Sequence, residues 1–147
     1  MKQMASLLLL ILLTSCAHTQ KIKMKKHANL PTPIGPYSHS TSFGNLIFIS
    51  GQIGIDPRSN VLKEGIREQL KQIFDNLEVI LKDNHSDFEH IAKTTIFLTD
   101  LKAFGTVNEI YSRYFHQHYP ARSTIEVALL PRNASIEIEC IAVRKAN

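Results

Sequence analysis

A chain of 147 residues, 44% of them hydrophobic and 20% charged, has room for one domain with a hydrophobic core, and only 6 Gly and 6 Pro exclude collagen-like, low-complexity and wholly disordered readings. The formal charge is +4, but five of the 17 basic residues (Lys2, Lys21, Lys23, Lys25 and Lys26) precede His27, leaving twelve basic against thirteen acidic residues beyond it. A near-neutral domain lacks the dense positive face that phosphate contacts need, so a nucleic-acid partner is not expected.

The N-terminus starts with Lys2, runs through seven apolar residues from Leu7 to Leu13, and reaches Thr14-Ser15 before Cys16. A membrane span needs ~20 apolar residues, so this run reads as the apolar core of an export signal. Leu13-Thr14-Ser15-Cys16 closely resembles the bacterial lipobox, in which cleavage precedes a lipid-modified cysteine. The expected organisation is therefore a signal peptide over residues 1–15, a lipidated Cys16 with a basic tether over 16–26, and one domain over 27–147. That places the protein in a bacterial cell envelope, attached to the membrane by its lipid only. With Cys16 modified, Cys140 is the one remaining thiol and an intramolecular disulfide is excluded.

Ile22 and Met24 alternate with lysines, leaving a short charged-edge strand as the alternative to part of the tether. Gly44-Asn45 between apolar runs predicts a tight hairpin with strands at about Tyr37 to Phe43 and Leu46 to Ser50. Ile66, Leu70, Ile73, Phe74, Leu77, Ile80 and Leu81 recur with helical spacing. Ile91 to Leu98 is rich in β-branched residues and predicts a buried strand. Phe104, Val107, Ile110, Tyr111, Tyr114 and Phe115 predict a second amphipathic helix. Strands at Ser123 to Ala128 and Ser135 to Val143 complete the order ββαβαββ. The packing that satisfies it is a two-layer α+β domain, a mixed sheet with two helices on one face. Ile141 and Val143 point opposite Ile136, Ile138 and Cys140, so the second sheet face is partly apolar and oligomerisation is the natural cover. Cys140 itself reads as a small buried hydrophobe.

His116 and His118, and His85 and His90, have no acidic or cysteine partner at zinc spacing, so no metal site is expected. Ser50-Gly51-Gln52-Ile53-Gly54 lacks the lysine and the third glycine of nucleotide loops. Pro120-Ala121-Arg122 is a proline-fixed turn that delivers an arginine at the mouth of a strand, where a guanidinium can hold a small carboxylate by two parallel hydrogen bonds. Glu137 and Glu139 share one face of the last strand, the usual look of a solvated sheet side.

Ile34-Gly35-Pro36-Tyr37, Ile49-Ser50-Gly51-Gln52, the stretch Lys93 to Leu101, Val107-Asn108, Pro120-Ala121-Arg122-Ser123 and Ile136 to Val143 resemble the Rid (YjgF-type) reactive intermediate deaminases, in order and nearly without gaps from about Asn29 to Arg144. The resemblance implies a chorismate-mutase-like fold, a homotrimer with ligand pockets between subunits, and hydrolysis of 2-enamino and 2-imino acids, such as 2-iminobutanoate and 2-iminopropanoate, to 2-keto acids and ammonia without metal or organic cofactor. By position it implies that Arg122 holds the substrate carboxylate, that Glu137 positions water, and that Tyr37, Gly51 and Thr124 line the pocket. Thr124 stands where many members carry cysteine, which argues against thiol chemistry. The export leader departs from the cytosolic habit of the family. A second reading, of a different class, is a non-catalytic module that binds small carboxylates or keto acids at a membrane surface.

Overall fold

The computed structural model describes residues 21–116 and 118–146; the signal peptide expected over residues 1–15 and the lipidation expected at Cys16 lie outside them. Six strands, β1 (Lys23–Lys25), β2 (Ser40–Phe43), β3 (Leu46–Ile53), β4 (Ile91–Leu98), β5 (Ala121–Glu126) and β6 (Ile136–Val143), and two helices, α1 (Gly65–Asp83) and α2 (Phe104–Phe115), follow one another as βββαβαββ. The α+β class and the mixed sheet agree with the sequence. The added first strand corrects the order: Lys23 to Lys25, within the segment read as a tether, pairs antiparallel with Ser42 to Ser40. It is the charged-edge alternative that the Ile22 and Met24 alternation left open.

The sheet runs β1-β2-β3-β6-β4-β5. All neighbours are antiparallel except β4 and β5, which are parallel and joined through α2, as a parallel connection requires. β6 is inserted between β3 and β4, so the last strand of the chain is central. Its side chains alternate strictly: Ile136, Ile138, Cys140 and Ala142 are buried under the helices, while Glu137, Glu139, Ile141 and Val143 leave the other face. Pairing places Arg122, Thr94 and Cys140 in one cross-strand row, and Ile125, Phe97, Glu137 and Ile53 in another.

The apolar stripe of α1 forms as its period predicts, with Leu70, Ile73, Phe74, Leu77, Ile80 and Leu81 fully buried. Two polar residues on this helix are buried as well, and each fastens a loop. Gln69 donates from Nε2 to the Lys63 carbonyl (3.0 Å) and accepts from the Ser135 amide (2.8 Å). Asn76 donates to the Ile55 carbonyl (3.1 Å). Phe74 joins the helices: its ring stacks on Tyr114 at 3.9 Å and meets Phe88, Tyr111 and Phe115 edge-on, a geometry that adds to the area it buries.

A buried histidine pair closes the other end of the sheet. His27 pairs through Nδ1 with the Asp83 carboxylate (2.7 Å) and through Nε2 with Ser40 Oγ (3.2 Å). Its backbone amide donates to Nδ1 of His39 (3.1 Å), whose Nε2–H donates to the Pro31 carbonyl (2.8 Å). Both His39 nitrogens are thereby committed in the neutral form. Burial lowers its pKa, reinforced by neighbouring His27 and Lys26 and opposed by the Pro31 hydrogen bond. The folded state therefore binds fewer protons than the unfolded chain just below the ordinary histidine value. The stability that His39 contributes is full above about pH 6.5 and is lost as pH falls from there through the depressed folded value. The urea midpoint of the wild type should thus drop between pH 7.5 and 5.5 more steeply than that of His39→Gln. Parallel pH profiles would contradict this assignment.

Candidate active site

Arg122 and Glu137 do not meet within one chain. Arg122 stands on edge strand β5, on the helix side of the sheet; Glu137 stands on β6, on the opposite side. By strand geometry their Cα atoms are roughly 14 Å apart, two strand spacings across and three residues along, with the sheet between their side chains. The structure presents two half-sites instead of one pocket.

The arginine half-site is a cleft lined by Asn108, Tyr111, Ser112, Tyr119, Pro120 and Arg122. Pro120 is buried and β5 begins at the next residue, so the turn read from the sequence does set the arginine at the strand mouth. The Arg122 guanidinium lies over the Tyr111 ring, 4.8 Å from its centroid, and over Phe104 at 5.4 Å. Its Nη2 donates to Asn108 Oδ1 (2.7 Å). Arg122 has no carboxylate partner among the described residues, whereas Arg67 and Arg113 share Glu109. A guanidinium held by rings and one neutral amide keeps most of its five N–H groups for an incoming anion. Thr124, expected in the pocket, follows two residues along β5 and is outside both sets of lining residues.

The glutamate half-site is lined by Ile34, Tyr37, Ser50, Gly51, Ile53, Pro131 and Glu137. It unites three of the expected residues. β3 runs on to Ile53, past the Ser50 end expected from sequence, because a bulge between Ile49 and Gln52 absorbs the extra residue. Gly51 sits in that bulge directly beneath the carboxylate: a Cβ built there would be 1.8 Å from Oε1 of Glu137 and 2.7 Å from its Cδ. The loop carrying Tyr37 is tied down by the His39 bond to Pro31 and by Ser50 Oγ, which donates to the Ser38 carbonyl (2.8 Å). Burial, and then the nearby Glu139 charge, raise the Glu137 carboxyl above its ordinary value. A carboxyl so raised exchanges a proton more readily near neutral pH. Cys140 is buried and its thiol is pushed up to about 12 by burial, so it is no nucleophile and fills the core as a small hydrophobe.

Sequence reasoning missed Asn108, Tyr111 and Ser50 as site residues. Asn108 and Tyr111 are one helical turn apart on α2, so they share the edge of its buried face. A lone amide at that edge, three residues before a tyrosine, was the available signal.

The two half-sites offer an arginine fork open on one side and a carboxyl of raised pKa, groups chemically suited to a small organic acid. A sequence model of the family described as endoribonuclease L-PSP matches residues 27–144. The chain is 49% identical over 115 residues to the 2-iminobutanoate/2-iminopropanoate deaminase of Mus musculus, covering 78% of this chain and 85% of the mouse protein. It is 46% identical over 118 residues to the Homo sapiens protein of the same name, covering 80% and 86%. The crystal structure of the YjgF gene product from E. coli superposes with a TM-score of 0.79 at 40% identity, covering 84% of this chain and 99% of that one. The chain belongs to this Rid/YjgF (L-PSP) family.

The contact between Gly51 and Glu137 has a direct test. In Gly51→Ala the carboxylate must swing off the bulge toward water, so the Glu137 pKa, followed by NMR titration, should fall back toward the ordinary glutamate value while the melting temperature changes little. An unchanged Glu137 titration would contradict the close packing.

Proposed function

We propose that the protein hydrolyses reactive 2-imino and 2-enamino acids to 2-keto acids and ammonium, in a site that joins the arginine half of one copy to the glutamate half of the next within a homotrimer. The observation that carries the reading is the Arg122 guanidinium, cradled on rings with one N–H bound to Asn108 and the rest of its fork available. Its fit to a planar carboxylate is matched by the names of the mouse and human relatives. The split between two sheet faces supports an intersubunit site, and the exposed apolar residues Phe43, Leu46, Phe48 and Ile125 supply a surface for a second copy to cover.

The chemistry needs three things from the chain. Arg122 fixes the carboxylate and so orients the C=N carbon. An enamine first takes a proton at its β-carbon, and the raised Glu137 carboxyl is a suitable donor. For the resulting iminium, the Glu137 carboxylate accepts a proton from the attacking water as oxygen bonds to carbon, then returns it to nitrogen, leaving a carbinol with an –NH3+ group. As the C–N bond breaks, the carboxylate takes the hydroxyl proton while the carbonyl forms and passes it to the departing ammonia, so water and iminium balance keto acid and ammonium. The uncatalysed reaction is already fast, and modest positioning suffices. We further propose that the protein acts at a membrane surface, held by Cys16; this part rests on the lipobox-like residues and lies outside the described ones.

Arg122→Ala should lose 2-iminopropanoate hydrolysis together with pyruvate binding, and Arg122→Lys nearly as much, since an ammonium lacks the planar fork. Glu137→Gln should keep pyruvate binding and lose ~100-fold in rate. Wild-type activity in Arg122→Ala would refute the site. A wild type that binds pyruvate but leaves iminopropanoate at its uncatalysed rate would instead establish the non-catalytic binding module.

A further inference from the structure

Arg122 is on an edge strand and half-exposed, yet its fork must hold one plane if two N–H groups are to meet two carboxylate oxygens. Asn108 fixes only one nitrogen. What lies beneath the guanidinium is Tyr111, and that ring is unusually well anchored. It is 3% exposed, stacked on Phe115 at 4.3 Å and met edge-on by Phe74 at 6.0 Å. Its hydroxyl is bonded to Thr94 Oγ1 at 2.9 Å, and Thr94, itself 1% exposed, is the residue paired with Arg122 across β4 and β5. The loop of contacts therefore closes on itself: Arg122 to the Tyr111 ring, the Tyr111 hydroxyl to Thr94, and Thr94 through the β-ladder back to Arg122.

We propose that Tyr111 is the positioning residue for the substrate-binding arginine, its π face setting the plane of the guanidinium and its hydroxyl, locked by Thr94, setting the tilt of the ring. This deepens the function proposed above and rests on its assignment of Arg122 to the substrate carboxylate. A cation over an aromatic face is drawn to the ring quadrupole, and more strongly where water is excluded. Here that attraction replaces the acidic partner an arginine would otherwise take, and so orients the charge without neutralising it. A carboxylate in the same place would compete with the substrate; a ring does not. Phe104, half-exposed on the first turn of α2, contributes a second aromatic contact.

The test separates the ring from mere bulk. Tyr111→Phe keeps the π face and loses the Thr94 bond; Tyr111→Leu keeps much of the volume and loses the face. KM for 2-iminopropanoate and the Kd for pyruvate should rise ~2-fold to 3-fold in Tyr111→Phe and ~10-fold in Tyr111→Leu, with kcat within a factor of about three. Thr94→Val should match Tyr111→Phe. Because Tyr111 is a core residue, Phe104→Leu supplies a surface control: it should raise KM and Kd ~2-fold to 3-fold with an unchanged melting temperature. If the wild type shows no turnover, the deaminase reading fails, and the calorimetric Kd for pyruvate still decides the role of Tyr111. Equal pyruvate affinity in the Phe and Leu variants, or a loss of kcat at unchanged KM in both, would overturn the proposal.

Discussion

The pleat of the sheet governs everything that this domain can do chemically. Successive side chains of a strand leave opposite faces, and the pairing of β5 with β4 and of β4 with β6 fixes which residues share a side. Arg122 falls in the row of Thr94 and Cys140 beneath the helices, and Glu137 in the row of Phe97 and Ile125 on the outer face. No rotamer carries either side chain through the sheet. A chemistry that needs a carboxylate clamp and a proton carrier therefore needs two surfaces, and this fold presents both on every copy.

Each half-site relies on the core differently. The arginine is placed by aromatic packing: Phe74 of α1 and Phe115 of α2 flank Tyr111, and Tyr111 underlies the guanidinium. The glutamate is placed by an absence, since only a residue without Cβ leaves room for its carboxylate at the Gly51 bulge. Between them Gln69, buried on α1, grips the Ser135 amide just before β6, so the same helix that builds the core sets the start of the strand bearing Glu137.

The sequence made the local elements legible where periodicity is strong. The α1 stripe, the Gly44-Asn45 hairpin and the alternation of β6 all follow from residue spacing, and the Rid-like motifs pointed to Arg122, Glu137, Tyr37 and Gly51. Non-local facts were hidden. Nothing in the alternation of β6 says that it lies between β3 and β4, and without that register the opposed faces of Arg122 and Glu137 cannot be read. The end of β3 was hidden because Gly51 and Gly54 look like a loop, and β1 because its lysines look like a tether. Asn108 and Tyr111 were masked by the apolar stripe of α2, which accounts for their spacing without any site.

The claim on which the rest depends is that a working site takes Arg122 from one copy and Glu137 from another. Arg122→Ala and Glu137→Gln chains, each expected to lose nearly all activity alone, can be denatured, mixed in equal amounts and refolded together, and the rate of 2-iminopropanoate hydrolysis measured. Random assembly pairs an intact arginine half with an intact glutamate half in about a quarter of the interfaces of a closed ring, so about a quarter of wild-type activity should return. Activity no greater than that of the two variants refolded separately would contradict a shared site.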